Sequence, residues 1–141
     1  MGLSWRLGSR WTSGGPIPAL AWSFQDAAQR VVIAGSSWDP DAIIAFAKDA
    51  ALLVHEAVFI PTAEDAVNAE VELDIAQLDL ERPMHVSINE IGRVAQRARV
   101  EELALIRLRP PPLYTFRFQS IVGRSFDGEV VIPADGETIW P

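Results

Sequence analysis

"ALLVHEAVF", residues 51–59, is an almost continuously apolar run of strand length. A run with so little alternation reads as a strand buried on both faces, the position of a central strand in a parallel sheet. Its polar exceptions are His55 and Glu56, adjacent and therefore on opposite faces. A buried acid and a buried imidazole near the end of a central strand need either partners or work to do.

The neighbouring segments supply the rest of the sheet. "PALAWSF" (18–24) and "RVVIAG" (30–35) read as strands joined by the turn "QDAAQ", a hairpin. Asp39 is a good N-cap with Pro40 at the first helical position, and Ile43, Ile44 and Ala47 give an apolar stripe for a helix ending near Asp49. Residues 61–81 form an acidic segment opened by Pro61-Thr62. "SINE" (87–90) is a capping box, with the Ser87 hydroxyl accepting from the Glu90 amide. The helix it opens places Ile88, Ile91, Ala95 and Ala98 on one face and Arg93 and Arg97 on another. "ELALIRL" (102–108) is the next strand, stopped by Pro110-Pro111-Pro112. "YTFRFQSIVGRSF" reads as a helix, "GEVVI" as a strand and "ETIW" as a terminal strand. Strands alternating with helices make the class α/β with crossover connections. The expected organisation is an N-terminal arm over 1–17, marked by Gly14-Gly15-Pro16, and one domain over 18–141.

The composition sets bounds. A chain of 141 residues, 49% of them hydrophobic, builds one core. No window approaches the ~18 apolar residues of a membrane span, and the start lacks the apolar block of a signal peptide. A cytoplasmic location and no membrane partner are therefore expected. Without cysteine there is no disulfide, thiolate ligand or thiol nucleophile. The net charge of −7 argues against nonspecific nucleic-acid binding. That charge is segregated. Glu64, Asp65, Glu70, Glu72, Asp74, Asp79 and Glu81 lie together, while arginines from Arg82 to Arg124 outnumber the acids among them. Such a pattern fits an anion-binding face, a self-complementary contact, or a plain solvated face.

Five motifs, "AGSSWDPDAI", "ALLVHEAVF", "HVSINEIGRVA", "LALIRLRPP" and "GEVVIPADGETI", occur in an order that resembles the C-terminal half of metallo-β-lactamase-fold hydrolases, the superfamily of ribonuclease Z and arylsulfatase-like enzymes. The resemblance runs from about residue 18 to 140 and implies half of an αββα sandwich. It also implies a metal site whose ligands are replaced here: Ser36 stands at the carboxylate position of the strand-to-helix turn, and Arg107 at the position of a late ligating His. The family's upstream His-x-His-x-Asp-His motif is absent from these residues. A hydroxyl is a poor Zn²⁺ ligand and a guanidinium has no lone pair to give. No cofactor is expected, with zinc only where a partner chain supplies ligands. The pair that remains is Glu56 and His85, in the resemblance an orienting acid and an assisting imidazole, here either a residual acid/base pair or a hydrogen bond between loops. His55 reads as a core histidine. Ser36 as a nucleophile lacks the Gly-x-Ser-x-Gly elbow and a free base, so it reads as a turn residue.

Two functions follow as expectations. One is a degenerate or truncated homologue without metal-dependent catalysis of its own, acting as an interaction or anion-binding module through Arg107 and Arg109. The other is an active hydrolase of phosphate or sulfate esters, completed by a partner chain carrying the metal site. Half of such a sandwich would leave one sheet face apolar and open, which points to a homodimer or a complementary N-terminal-half chain as partner. A gene fragment without function is the remaining alternative.

Overall fold

The computed structural model describes residues 6–12, 20–35, 39–59, 76–77, 80, 82–109 and 115–141, with the backbone alone for 6–12, Arg82 and Arg109. Six strands, β1 (Arg6–Thr12), β2 (Leu20–Gln25), β3 (Arg30–Ala34), β4 (Leu52–Val58), β5 (Glu102–Arg109) and β6 (Glu129–Val131), form one sheet in the order of the chain. β1, β2 and β3 are antiparallel neighbours, and β3 to β6 run parallel. Three helices, α1 (Pro40–Phe46), α2 (Ile88–Ala98) and α3 (Thr115–Val122), each lie in one of the parallel crossovers. Parallel neighbours taken in chain order through right-handed crossovers put every helix on the same side of the sheet. The buried core agrees, uniting Ile43 of α1, Ile91 of α2 and Phe118 and Val122 of α3 with Val32, Leu53, Leu103 and Leu105 of the strands. Burying each such side chain stabilises the fold by about 1.5–3 kcal/mol.

None of α1, α2 and α3 lies on the opposite face of the sheet. Register alignment gives it two rows across the strands: Phe24, Val31, Leu52, Glu102 and Glu129 in one, Trp22, Ile33, Val54, Ala104 and Val131 in the next. A third row, at the C-terminal ends of the parallel strands, holds Glu56 beside Ile106. Most apolar members of this outer face are only half-buried, and Ile33 is exposed.

Local chemistry sets the helix starts. Asp39 caps α1, its Oδ1 accepting from the Ala42 amide at 3.1 Å with Pro40 following. Ser87 caps α2, but its hydroxyl accepts from the Asn89 amide at 3.3 Å rather than from Glu90. The Glu90 amide is taken by the Ser87 carbonyl at 2.8 Å, so the capping hydroxyl serves the preceding amide. Ile88, Ile91, Ala95 and Ala98 are buried as the stripe requires, while Arg93 and Arg97 are exposed. Where α2 crosses α3 the helices approach closely at Gly92. A β-carbon there would meet Ser125 Oγ at 2.5 Å and the Val122 carbonyl at 2.7 Å.

Two expectations need correction. The stretch expected to be an N-terminal arm contains the edge strand β1, paired with β2 and bulged between Leu7 and Ser9. The intervening Gly8 breaks the alternation that would have announced a strand. The "ETIW" stretch forms no strand. After β6, Pro133 has no amide to donate, and residues 134–137 close a turn in which the Glu137 amide donates to the Ala134 carbonyl at 3.0 Å and Gly136 takes φ +84°. The acidic stretch 61–81 falls outside the described residues apart from positions 76, 77 and 80, as does the Pro110–Pro112 stop. Among the described residues no helix is long and apolar enough to cross a membrane.

Candidate functional site

The parallel strands β3, β4 and β5 end together, and that C-terminal edge is where open α/β sheets gather polar groups. β4 delivers Glu56 to it. Leu53 faces the helix-side core, so alternation turns His55 to that side and Glu56 to the outer face. Both are buried, His55 fully and Glu56 to 4% exposure. Gly35, just past β3, lies beside this carboxylate, a β-carbon there falling 4.0 Å from Glu56 Oε1 in ordinary van der Waals contact. Ser36 follows immediately but lies outside the described residues.

Among the described residues, His85 and Arg107 converge on the Glu56 carboxylate. His85, just before α2, places Nδ1 3.6 Å from Oε2, a distance for an ionic contact and too long for a hydrogen bond. Arg107 donates from Nη1 to Oε1 at 3.0 Å. Arg107 reaches Glu56 through a break in the strand. The pairing of β4 with β5 slips after Glu56, with Val58 opposite Arg109, so β5 carries one extra residue there. Arg107 takes φ +47° in that bulge. In a regular strand the residue after Ile106 would point to the helix side; the left-handed bulge re-aims it toward the outer-face carboxylate. Left-handed backbone at a non-glycine residue costs about 1–2 kcal/mol, which the ion pair and the packing of Leu108 in the core offset. The guanidinium remains 63% exposed, with donors left for a second group. Arg109, the other expected anion binder, continues β5 opposite Val58, and its side chain lies outside the described atoms.

His55 is held differently. Its Nδ1 donates to the Glu56 carbonyl, while Nε2 has no hydrogen-bond partner among the described residues. Burial pushes its pKa below the ordinary imidazole value, only partly opposed by that carbonyl and by the Glu56 charge. It is therefore a neutral histidine.

Among the described residues no three His, Asp or Glu side chains converge as a metal would need. Among the described residues the donors at the sheet edge are one carboxylate and one imidazole, and the carboxylate is held by a guanidinium. Those two described donors by themselves do not complete a four-coordinate Zn²⁺ site. The contact between Glu56 and Arg107 has no local signal in sequence, because 51 positions separate the two residues.

The architecture has known counterparts. The metallo-β-lactamase-fold protein YhfI from Bacillus subtilis superposes with a TM-score of 0.63 at 24% identity, over 86% of this chain and 44% of that one. Human tRNase Z, short form, superposes with a TM-score of 0.49 at 22% identity, over 70% of this chain and 34% of that one. The likeness is one of fold, and the chain spans less than half the length of either protein. No family model and no curated protein matches the sequence. The chain has the fold of the C-terminal half of a metallo-β-lactamase-like αββα sandwich, as the order of its motifs led us to expect.

Proposed function

We propose that this half-fold is a degenerate relative of the metallo-β-lactamase-fold hydrolases, one without metal-dependent catalysis of its own that works in the cytoplasm as an interaction or anion-binding module. The observation that carries this reading is the 3.0 Å contact between Arg107 Nη1 and Glu56 Oε1. A permanently protonated side chain supplies the positive charge at the sheet edge, and it repels a metal cation brought near the same carboxylate. With Nη1 engaged, the remaining guanidinium donors match the paired oxygens of a phosphate, sulfate or carboxylate. Arg109 is assigned to the same anion by the sequence reading, and His85 with Glu56 serves as a structural pair that orients Arg107.

Metal content and zinc or manganese titration of the purified protein test this, together with hydrolysis of phosphate and sulfate esters. We expect neither stoichiometric metal nor turnover, and inorganic phosphate binding that Arg107→Ala weakens. One tightly held metal ion per chain, with esterase activity, would sink the reading.

The coverage of 44% of the YhfI chain favours a second reading, in which the other half of the sandwich supplies the metal ligands and the assembled protein hydrolyses phosphate or sulfate esters. Its signature would be zinc uptake that appears only after mixing with a half bearing His-x-His-x-Asp-His.

A further inference from the structure

The outer face of the sheet is apolar through its middle and charged at its two ends, with different groups at each. Trp22, Ile33, Val54 and Val131 share the central row, with Ala104 between Val54 and Val131. At the N-terminal end of the parallel strands Glu102 and Glu129 stand side by side in register. Neither has a basic partner among the described residues, and burial together with the Glu129 charge pushes the Glu102 carboxyl up. At the C-terminal end Arg107 offers a largely exposed guanidinium with donors to spare.

Two-fold stacking of such a face on itself has two solutions. With the axis along the strands, each row covers its own counterpart and the strand order reverses, setting Glu102 and Glu129 over Phe24 and Val31 of the other copy. That buries two carboxylates against apolar side chains without partners, which is unfavourable. With the axis across the strands, the strand order is kept and the end rows exchange, so β5 covers β5 and the acidic end lies over the Arg107 end. The acidic pair of each copy then lies over the Arg107 end of the other, at both ends of an apolar centre.

We propose that the outer face docks a second copy of this chain, stacked with the strands antiparallel across the interface so that Arg107 of each copy faces Glu102 and Glu129 of the other. The proposal rests on the reading of the chain as an interaction module and adds the identity and the pose of the partner. Arg107 is thereby shared between Glu56 within its own chain and the acidic pair of its partner, and the partner's carboxylates compete with a free oxyanion for the spare guanidinium donors.

Sedimentation equilibrium and cross-linking test the partner and the pose separately from metal content. The chain has no cysteine, so single cysteines report the pose directly. Packed sheets lie about 10 Å apart, the reach of a short bis-maleimide. We expect a dimer, with Glu102→Cys chains cross-linking to Ile106→Cys chains on mixing, and Glu102→Cys alone giving no product. Reversing both acids, Glu102→Lys with Glu129→Lys, should raise the dimer dissociation constant about tenfold or more while circular dichroism stays unchanged. A monomer at micromolar concentration overturns the proposal and leaves the metal-free reading standing. A dimer that fails the mixed cross-link overturns the pose, and zinc uptake by an intact dimer overturns the function while sparing the interface.

Discussion

Arg107 Nη1 and Glu56 Oε1 lie 3.0 Å apart across two neighbouring strands, one group 63% exposed and the other 6%. The pair is asymmetric in its surroundings, and so are the consequences of breaking it. Arg107→Ala takes from a buried carboxylate its charge-assisted hydrogen bond, a loss of about 1–3 kcal/mol after allowance for the exposure of the arginine side chain. Glu56→Gln releases a group already in water and should cost less. Urea denaturation of both single variants and the double variant gives the coupling, expected at about 1 kcal/mol. Strictly additive losses would show that the contact contributes nothing.

Stability should fall on mild acidification because of His55. Its folded-state pKa is pushed below 6.5, the ordinary value. The unfolded chain therefore takes up the proton near pH 6.5 while the folded chain still resists it. The stabilising contribution is present above that pH and is lost below it, by up to about 1.4 kcal/mol per pH unit. Denaturation midpoints between pH 7.5 and 5.5 should drop for the wild type and drop less for His55→Leu. Identical slopes would refute the assignment.

Gly92 should not tolerate a side chain. Adding a methyl group where Ser125 Oγ and the Val122 carbonyl stand 2.5 Å and 2.7 Å from the β-carbon position forces α2 and α3 apart. Gly92→Ala should destabilise by about 1–3 kcal/mol despite the better helix propensity of alanine. A stabilised variant would mean that the helices shift freely.

Removing the cap of α1 gives a smaller effect. Asp39→Ala leaves the Ala42 amide without its side-chain acceptor and should cost about 1 kcal/mol. Asp39→Ser should restore most of it, which thermal melts of the three proteins would reveal.

The elements whose physics is local were legible in the sequence. Asp39-Pro40 and Ser87 announce helix starts through groups within three residues of each other, and the apolar run 51–59 announces a central strand by itself. β1 was missed because Gly8 sits in a bulge, and the "ETIW" strand was expected from composition where Pro133 and a turn intervene. At the site, Glu56 and His85 were paired in advance through the family resemblance, and the structure brings them to 3.6 Å. The bond from Arg107 to Glu56 could not be read, since it depends on an unforeseen extra residue in β5 and a left-handed backbone at a non-glycine position. The same holds for Nε2 of His55, without a hydrogen-bond partner among the described residues, a property of the packed interior and not of its neighbours in sequence.

The chain-order sheet has a temporal side. Each strand lies beside the strand made just before it, so every new hairpin or crossover can dock as it leaves the ribosome, with no strand held back for a later neighbour. The hairpin of β2 and β3 closes over a short turn, whereas the parallel pairing of β4 with β5 joins Leu52 to Glu102 and must close a long loop first. Among the described residues no strand borrows its place from a segment made later, so the order in which the sheet closes is the order in which the chain is made.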